Sequence, residues 1–227
     1  MPERPVDPRT TRSVYDRLLR AYGPQGWWPA DSAFEVVVGA ILTQNAAWTN
    51  VEYALEHLRA AQALSPGAIL ALDDARLGRL IRPSGYFNVK AARLKAVCGF
   101  IERQGGIDAL ARWSTVDLRA ALLAVKGIGP ETADDIILYA FHRPVFVIDA
   151  YTRRIFARLG AIAGDESYEH LRGEFERAMP GDVSAYQEYH GLIVEHAKAV
   201  CAVRPRCEAC CLRRRCAVGR GERTLPG

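Results

Sequence analysis

Lysine is nearly absent from this chain. Of 30 basic residues only four are lysines, Lys90, Lys95, Lys126 and Lys198, and the remaining 26 are arginines. Any reaction that needs an uncharged lysine amine has those four side chains to draw on and no others. Long apolar runs are missing as well. None approaches the roughly 20 residues that cross a bilayer, so no membrane association is expected. The opening MPERPVDPRTTRS lacks the apolar stretch of a secretory leader, and a cytoplasmic location is expected. Strand-like character is confined to one short run, VFVI (145–148), which excludes a sheet-based core. Internal repeats and low-complexity tracts are absent. A net charge of +4 is too small to argue for nucleic acid alone, and the arginine bias is also what a GC-rich coding sequence produces.

What is present is a globular chain of 227 residues, 49% apolar, long enough for one or two domains with a sizeable core. Nearly every periodic segment has helical spacing. SAFEVVVGAILTQ starts after Asp31 or Ser32, both good N-caps. WTNVEYALEHLRAA follows, and LSPGAILAL opens on Ser-Pro, a favoured cap and first position. NVKAARLKAVCGFIERQ, TVDLRAALLAV, PETADDIILYAF, DAYTRRIFARLG, DESYEHLRGEFERAM and SAYQEYHGLIVEHAKAVC complete an all-α reading of about nine or ten helices. VFVI reads as a buried connector. The chain from about 218 reads as a frayed, flexible tail.

Six cysteines are present. Cys98 stands in an apolar stretch, VCGFI, and reads as core. Cys201, Cys207, Cys210, Cys211 and Cys216 crowd into 16 positions, which in a cytoplasmic chain argues for metal over disulfides.

The segment LLAVKGIGPETADDIILYA (122–140) reads as helix, tight turn, helix. Gly127 and Gly129 permit positive φ and leave backbone N–H groups uncovered, and Ile128 can plug the turn into the core. The following helix offers a positive dipole end and free N–H groups to an anion. Walker spacing fails, because no GK[ST] follows. The Rossmann pattern fails too, because no strand precedes the turn and a third glycine is missing. A helix-hairpin-helix gripping a DNA phosphate fits; so does an ordinary αα-turn with a glycine C-cap. Asp149, which follows VFVI and opens AYTRRIF, reads on its own as an N-cap.

Taken together, LLAVKGIGPETADDIILYAFHRPVFVIDAYTRRIFARLG resembles the endonuclease III superfamily of DNA glycosylases, and the likeness extends over about residues 12–217. The resemblance implies two helical domains with a cleft between them. A six-helix barrel domain with the hairpin would occupy 32–143, inserted in an iron–sulfur cluster domain made from 1–31 and 144–217, with 218–227 left as tail. It places Asp149 as the catalytic carboxylate. FEVVVGAILTQNAAW resembles the family's second helix, which assigns Gln44 to the gap left by a flipped nucleotide. GYFNVKA resembles the wedge loop, with Tyr86 at the wedge; without the family, Tyr86 and Phe87 would read as buried aromatics. Lys90 in the same loop is expected to meet phosphate or solvent. Lys126, Gly127, Gly129 and Thr132 of the hairpin are expected at the DNA backbone, together with Arg204 and Arg206, which belong to a loop that also carries Arg213, Arg214 and Arg215. The cysteines Cys201, Cys207, Cys210 and Cys216 read C-x5-C-x2-C-x5-C, close to the family's [4Fe-4S] ligands, although its first gap is often one residue longer. Zinc is the physical alternative, but only one CxxC knuckle is present. Cys211 matches nothing in the motif.

The same resemblance implies base flipping and cleavage of an N-glycosidic bond, with Asp149 stabilising an oxocarbenium-like transition state or activating water. Bifunctional relatives carry a lysine in the hairpin, G-[VI]-G-x-K-T-A. Here that position is Glu131. A carboxylate cannot form a Schiff base, so base removal without a nick is expected. Glu131 is assigned beside Asp149 as a catalytic carboxylate, although an acidic residue in a first helical turn also complements the dipole. Trp48 and Asn45, in a TQNxxW run similar to the 3-methyladenine branch, are assigned to the base pocket, where a cationic alkylated purine would fit. Lys198 is the lysine left over for residual lyase chemistry. Mismatched thymine or uracil and oxidised pyrimidines are the alternative substrates, and a non-catalytic binder of damaged or branched DNA is the alternative class. The expected partner is double-stranded DNA carrying a damaged or mismatched base, bound by a nucleoid-associated monomer.

Overall fold

The computed structural model describes residues 5–224. The described residues are helical, with no strand among them. In chain order the helices are α1 (Pro8–Tyr22), α2 (Ala33–Leu42), α3 (Trp48–Ala60), α4 (Pro66–Ala71), α5 (Asp74–Leu80), α6 (Phe87–Arg103), α7 (Ile107–Leu110), α8 (Thr115–Leu123), α9 (Pro130–Asp135), α10 (Ala150–Leu159), α11 (Tyr168–Ala178) and α12 (Val183–Ala199). Twelve helices among the described residues exceed the nine or ten expected. The surplus is α1, α5 and α7: the first lies in a polar, arginine-rich stretch, and the other two are too short to show a period. None of the described helices is long and apolar enough to cross a membrane.

Side-chain caps fix most starts. Ser32, Ser65, Ser114, Asp149, Ser167 and Asp182 each accept from a backbone N–H two or three positions into the helix that follows. Such a cap is worth about 1 kcal/mol.

The chain divides into two compact units, Ala30–Arg143 and a second made from Met1–Pro29 with Pro144–Gly227. In the contiguous unit α2 is the central rod. Val36, Val37, Val38, Ile41 and Leu42 are all buried, each stabilising by about 1.5–3 kcal/mol. α2 packs on α3, α6, α9 and the π-turn Ile136–Ala140, and α4 and α5 pack on α6. The one acidic residue of α2, buried Glu35, is paired with Arg59 Nη2 at 2.8 Å. PETADDIILYAF therefore does not run as one α-helix: α9 stops at Asp135 and Ile136–Ala140 widens to a π-turn. All five of its residues are buried.

In the discontinuous unit α1 packs on α11 and α12, and α10 on α12. Phe146, Phe156 and Phe175 form an aromatic core with ring centroids 4.9 and 4.6 Å apart. VFVI is buried and unpaired with any strand. Its amides go to side chains: Phe146 N–H donates to Glu176 Oε1 (3.1 Å) and Ile148 N–H to the Tyr168 hydroxyl (3.4 Å). The segment from 218 is not a loose tail as far as 224. Val218 N–H donates to Arg158 O (3.2 Å) and Glu222 N–H to Ala217 O (2.9 Å), and Arg220 pairs with Glu222. The first of these bonds ties it to the end of α10. Residues 225–227, the last of the expected tail, lie outside the described residues.

Candidate active site and cysteine loop

The hairpin joins α8 to α9 within the contiguous unit. Gly127 has φ +92°, closed to most side chains, but Gly129 has φ −93°. Only the first glycine therefore needs its left-handed freedom; the second is extended and serves as the N-cap of α9. Ile128 is buried and donates to Val125 O at 3.1 Å, plugging the turn into the core. Lys126 and Glu131 are exposed, and Thr132 is buried.

Gln44 lies beyond the end of α2 and is bound to this hairpin. Its Nε2 donates to Gly127 O (3.2 Å) and Thr132 Oγ1 (2.9 Å), and its Oε1 accepts from Arg93 of α6. Arg93 lies under the turn: a Cβ on Gly127 would come within 2.4 Å of its Cγ. No local pattern marks Arg93, 49 residues from Gln44, as part of the hairpin.

The wedge loop splits in two directions. Tyr86 caps α6 from a left-handed conformation (φ 45°) and is 72% exposed, which rules out a buried aromatic there. Lys90 is the reverse. Expected at phosphate or solvent, it is 1% exposed and donates to Leu42 O (2.7 Å) and Ser84 O (2.6 Å). These carbonyls end α2 and the 3-10 turn before the wedge, and they draw the amine inward. Burial, helped by the Arg93 charge, pushes the Lys90 amine down to about 8. Trp48 begins α3, half-buried, with its indole N–H donated to Glu52 Oε1 at 2.9 Å; Asn45 is exposed with φ 53°.

Asp149 belongs to the discontinuous unit. It is both a cap and a candidate site residue. Its Oδ1 accepts from the Thr152 amide and hydroxyl, both at 2.7 Å, and its Oδ2 lies 3.6 Å from His190 Nε2 on α12. Burial pushes the carboxyl upward. His190 close by, then the two Thr152 bonds, outweigh it and leave the carboxyl below its ordinary value. It is therefore ionised at neutral pH. Lys198, the remaining lysine of this unit, lies over the Trp27 ring at 5.5 Å.

The cysteine loop follows α12. Cys201, Cys207, Cys210 and Cys216 line one small cavity of about 20 Å³ together with Arg158, Val200 and Pro205. Cys211 is not on its wall, which separates the third cysteine of the motif from its neighbour. Among the described residues no group of three or more His, Cys, Asp or Glu side chains is arranged to hold a metal ion. The loop is anchored from α10. Buried Arg158 donates to the carbonyls of Cys201 (3.2 Å), Ala202 (2.6 Å) and Val203 (2.9 Å), and Arg154 donates to Cys201 O (2.9 Å). Burial pushes the Cys210 thiol up to about 11 and raises Cys216 as well. Arg204 is exposed; Arg206 is committed partly to the loop itself, donating to Ala199 O.

Comparison with known proteins places this arrangement. Residues 38–180 match the model of the HhH-GPD superfamily of base excision DNA repair proteins. A protein of Methanocaldococcus jannaschii, provisionally named a DNA repair glycosylase, is 47% identical over 89% of this chain and 94% of its own length. Endonuclease III of Sulfolobus acidocaldarius is 28% identical over 82% of each chain. Among solved structures, the H. pylori 3-methyladenine DNA glycosylase bound to 1,N6-ethenoadenine superposes with a TM-score of 0.73 and 30% identity, over 85% of this chain and 97% of that one. A trapped endonuclease III–DNA intermediate superposes with a TM-score of 0.81 at 19% identity, over 95% and 98%, a likeness of fold. With the hairpin, the aspartate after the buried connector and a family match over most of its length, the chain belongs to the HhH-GPD superfamily of base excision DNA repair glycosylases.

Proposed function

We propose that this protein binds double-stranded DNA, hydrolyses the N-glycosidic bond of an alkylated purine and leaves the strand intact. The observation that carries this reading is Glu131 at the hairpin position where bifunctional relatives hold a lysine. The other lysines are poorly suited to replace it. Lys90 is buried on two carbonyls, Lys95 is paired with Asp74, Lys198 lies on Trp27, and Lys126 is exposed at the turn. The substrate class is supported by the 30% identical 3-methyladenine glycosylase, whose structure holds 1,N6-ethenoadenine. An ionised carboxylate such as Asp149 suits a reaction in which positive charge develops on the sugar. Hairpin N–H groups, Lys126 and Arg204 would hold phosphates; Gln44 and exposed Tyr86 would fill and wedge the stack; Trp48, Asn45 and Glu131 would face the base.

The cysteines fit a [4Fe-4S] cluster. Four thiols line one cavity, and four thiolates are the ligand set such a cluster takes. Cys201, Cys207, Cys210 and Cys216 would hold it. When bound, it would cross-link a loop with little core of its own.

The test is a panel of duplexes carrying alkylated purines, oxidised pyrimidines or thymine and uracil mismatches, treated with the protein and then with hot alkali. Release from alkylated purines, no cut before alkali and no adduct after borohydride are expected. Release only from oxidised pyrimidines would favour the endonuclease III relatives as the guide to substrate, and a trapped adduct would overturn the lyase-free reading. Asp149→Asn should abolish release and keep duplex binding. If the parent releases nothing from any duplex it binds, the protein is a binder of damaged DNA instead.

A further inference from the structure

Asp149 and His190 come from helices packed against each other, α10 and α12. Both are almost sealed from solvent, at 8% and 6% exposure. The two oxygens of Asp149 have different surroundings. Oδ1 takes both Thr152 donors. It is thereby committed to capping α10 and is not at liberty to move. Oδ2 has His190 Nε2 at 3.6 Å, slightly long for a hydrogen bond and short enough to become one on a small adjustment. Capping alone requires only Oδ1. His190 reaches the second oxygen from another helix and so acts on the carboxylate apart from the cap.

We infer that His190 is the positioning residue of this site: it holds Oδ2 of Asp149 from α12, fixing the carboxylate plane while Thr152 fixes its other end. The inference rests on the base-release reading above. The groups that hold the carboxylate below its ordinary value are His190 from α12 and Thr152 from α10 itself, so removing His190 removes the larger of the two. With the burial unchanged, Asp149 would then take up a proton at higher pH than in the parent. The carboxylate would also be free to turn about Thr152, and displacement of a reacting group by about 1 Å costs about 100-fold in rate.

Two substitutions separate positioning from packing. His190→Leu fills the space without a donor. His190→Gln keeps an N–H donor of similar reach. In single-turnover base release across pH, His190→Leu should lose about 100-fold at neutral pH and show its acid limb at higher pH, with duplex affinity unchanged. His190→Gln should recover most of the neutral-pH rate. If both variants give profiles that superimpose on the parent after scaling, His190 only supports the fold and the inference falls. A second measurement needs neither turnover nor His190→Leu to fold. The Asp149 carboxylate, followed by carbon-13 NMR in the DNA-free protein, should titrate at higher pH in His190→Gln than in the parent, because the imidazole that holds it down is gone. Equal midpoints would overturn the inference. Failure of the parent to release any base would sink the proposed function instead, and the carboxylate titration would still decide the role of His190.

Discussion

Gly127→Ala tests the coupling between the hairpin and the residue beneath it. The backbone there has φ +92°, and an L side chain in that region costs about 1–3 kcal/mol. The new Cβ would meet Arg93 Cγ at 2.4 Å and its Cδ and Nε at 2.9 Å. Arg93 is flexible and would swing away, so the clash itself is cheap. Swinging away breaks its charge-assisted bond to Gln44 Oε1, a loss of about 1.5–3 kcal/mol. The sum is about 2.5–6 kcal/mol. Urea unfolding of four proteins measures it: the parent, Gly127→Ala, Arg93→Ala and the double variant. Because the Arg93–Gln44 bond can be lost only once, Gly127→Ala should cost about 1–3 kcal/mol, the strain alone, in the Arg93→Ala background. The coupling should be about 1.5–3 kcal/mol. Additivity within about 0.5 kcal/mol, the behaviour of independent sites, would show that Arg93 does not couple turn to glutamine.

Lys90→Met should become more costly as pH rises. The buried amine titrates at about 8 against an ordinary 10.5, so between those values the unfolded chain binds more protons and the parent gains up to about 3 kcal/mol. Chemical denaturation of parent and variant at pH 7.5 and pH 10.5 measures the difference, and a cost independent of pH would refute it. Arg158→Leu removes the donor to the Ala202 and Val203 carbonyls and should destabilise the cysteine loop by about 2–6 kcal/mol. The iron-to-protein ratio after purification should fall with it. Iron content equal to the parent would show that the loop holds its shape without α10.

Much of this fold could be read from residues that act on their nearest neighbours. Ser32, Ser65 and Asp149 mark helix starts because a cap bonds to an amide two or three residues on, a relation visible in a linear string. The glycine–isoleucine–glycine turn was legible for the same reason, although the string could not say that only Gly127 takes positive φ. What was not legible depends on distant partners. Lys90 looks like a surface lysine until the carbonyls of Leu42 and Ser84 surround it. Arg93 and His190 join their sites from 49 and 41 residues away, with no periodicity to announce them. The π-turn at Ile136–Ala140 was hidden because an apolar run looks alike with or without a widened turn.

The discontinuous unit also has a consequence for how the protein is made. Helix α1 leaves the ribosome well before its partners: Thr11 O waits for the Tyr189 hydroxyl, 178 residues downstream (2.8 Å), and the Val6 amide for Glu174 (3.0 Å). At 5–20 residues per second the first of these is delayed by roughly 10–40 s. Residues 30–143, all contiguous, emerge in between and can finish folding. For that interval Val14 and Leu18, wholly covered in the finished protein, are exposed on a tethered helix, so the nascent chain presents this apolar face to chaperones until α12 has been translated.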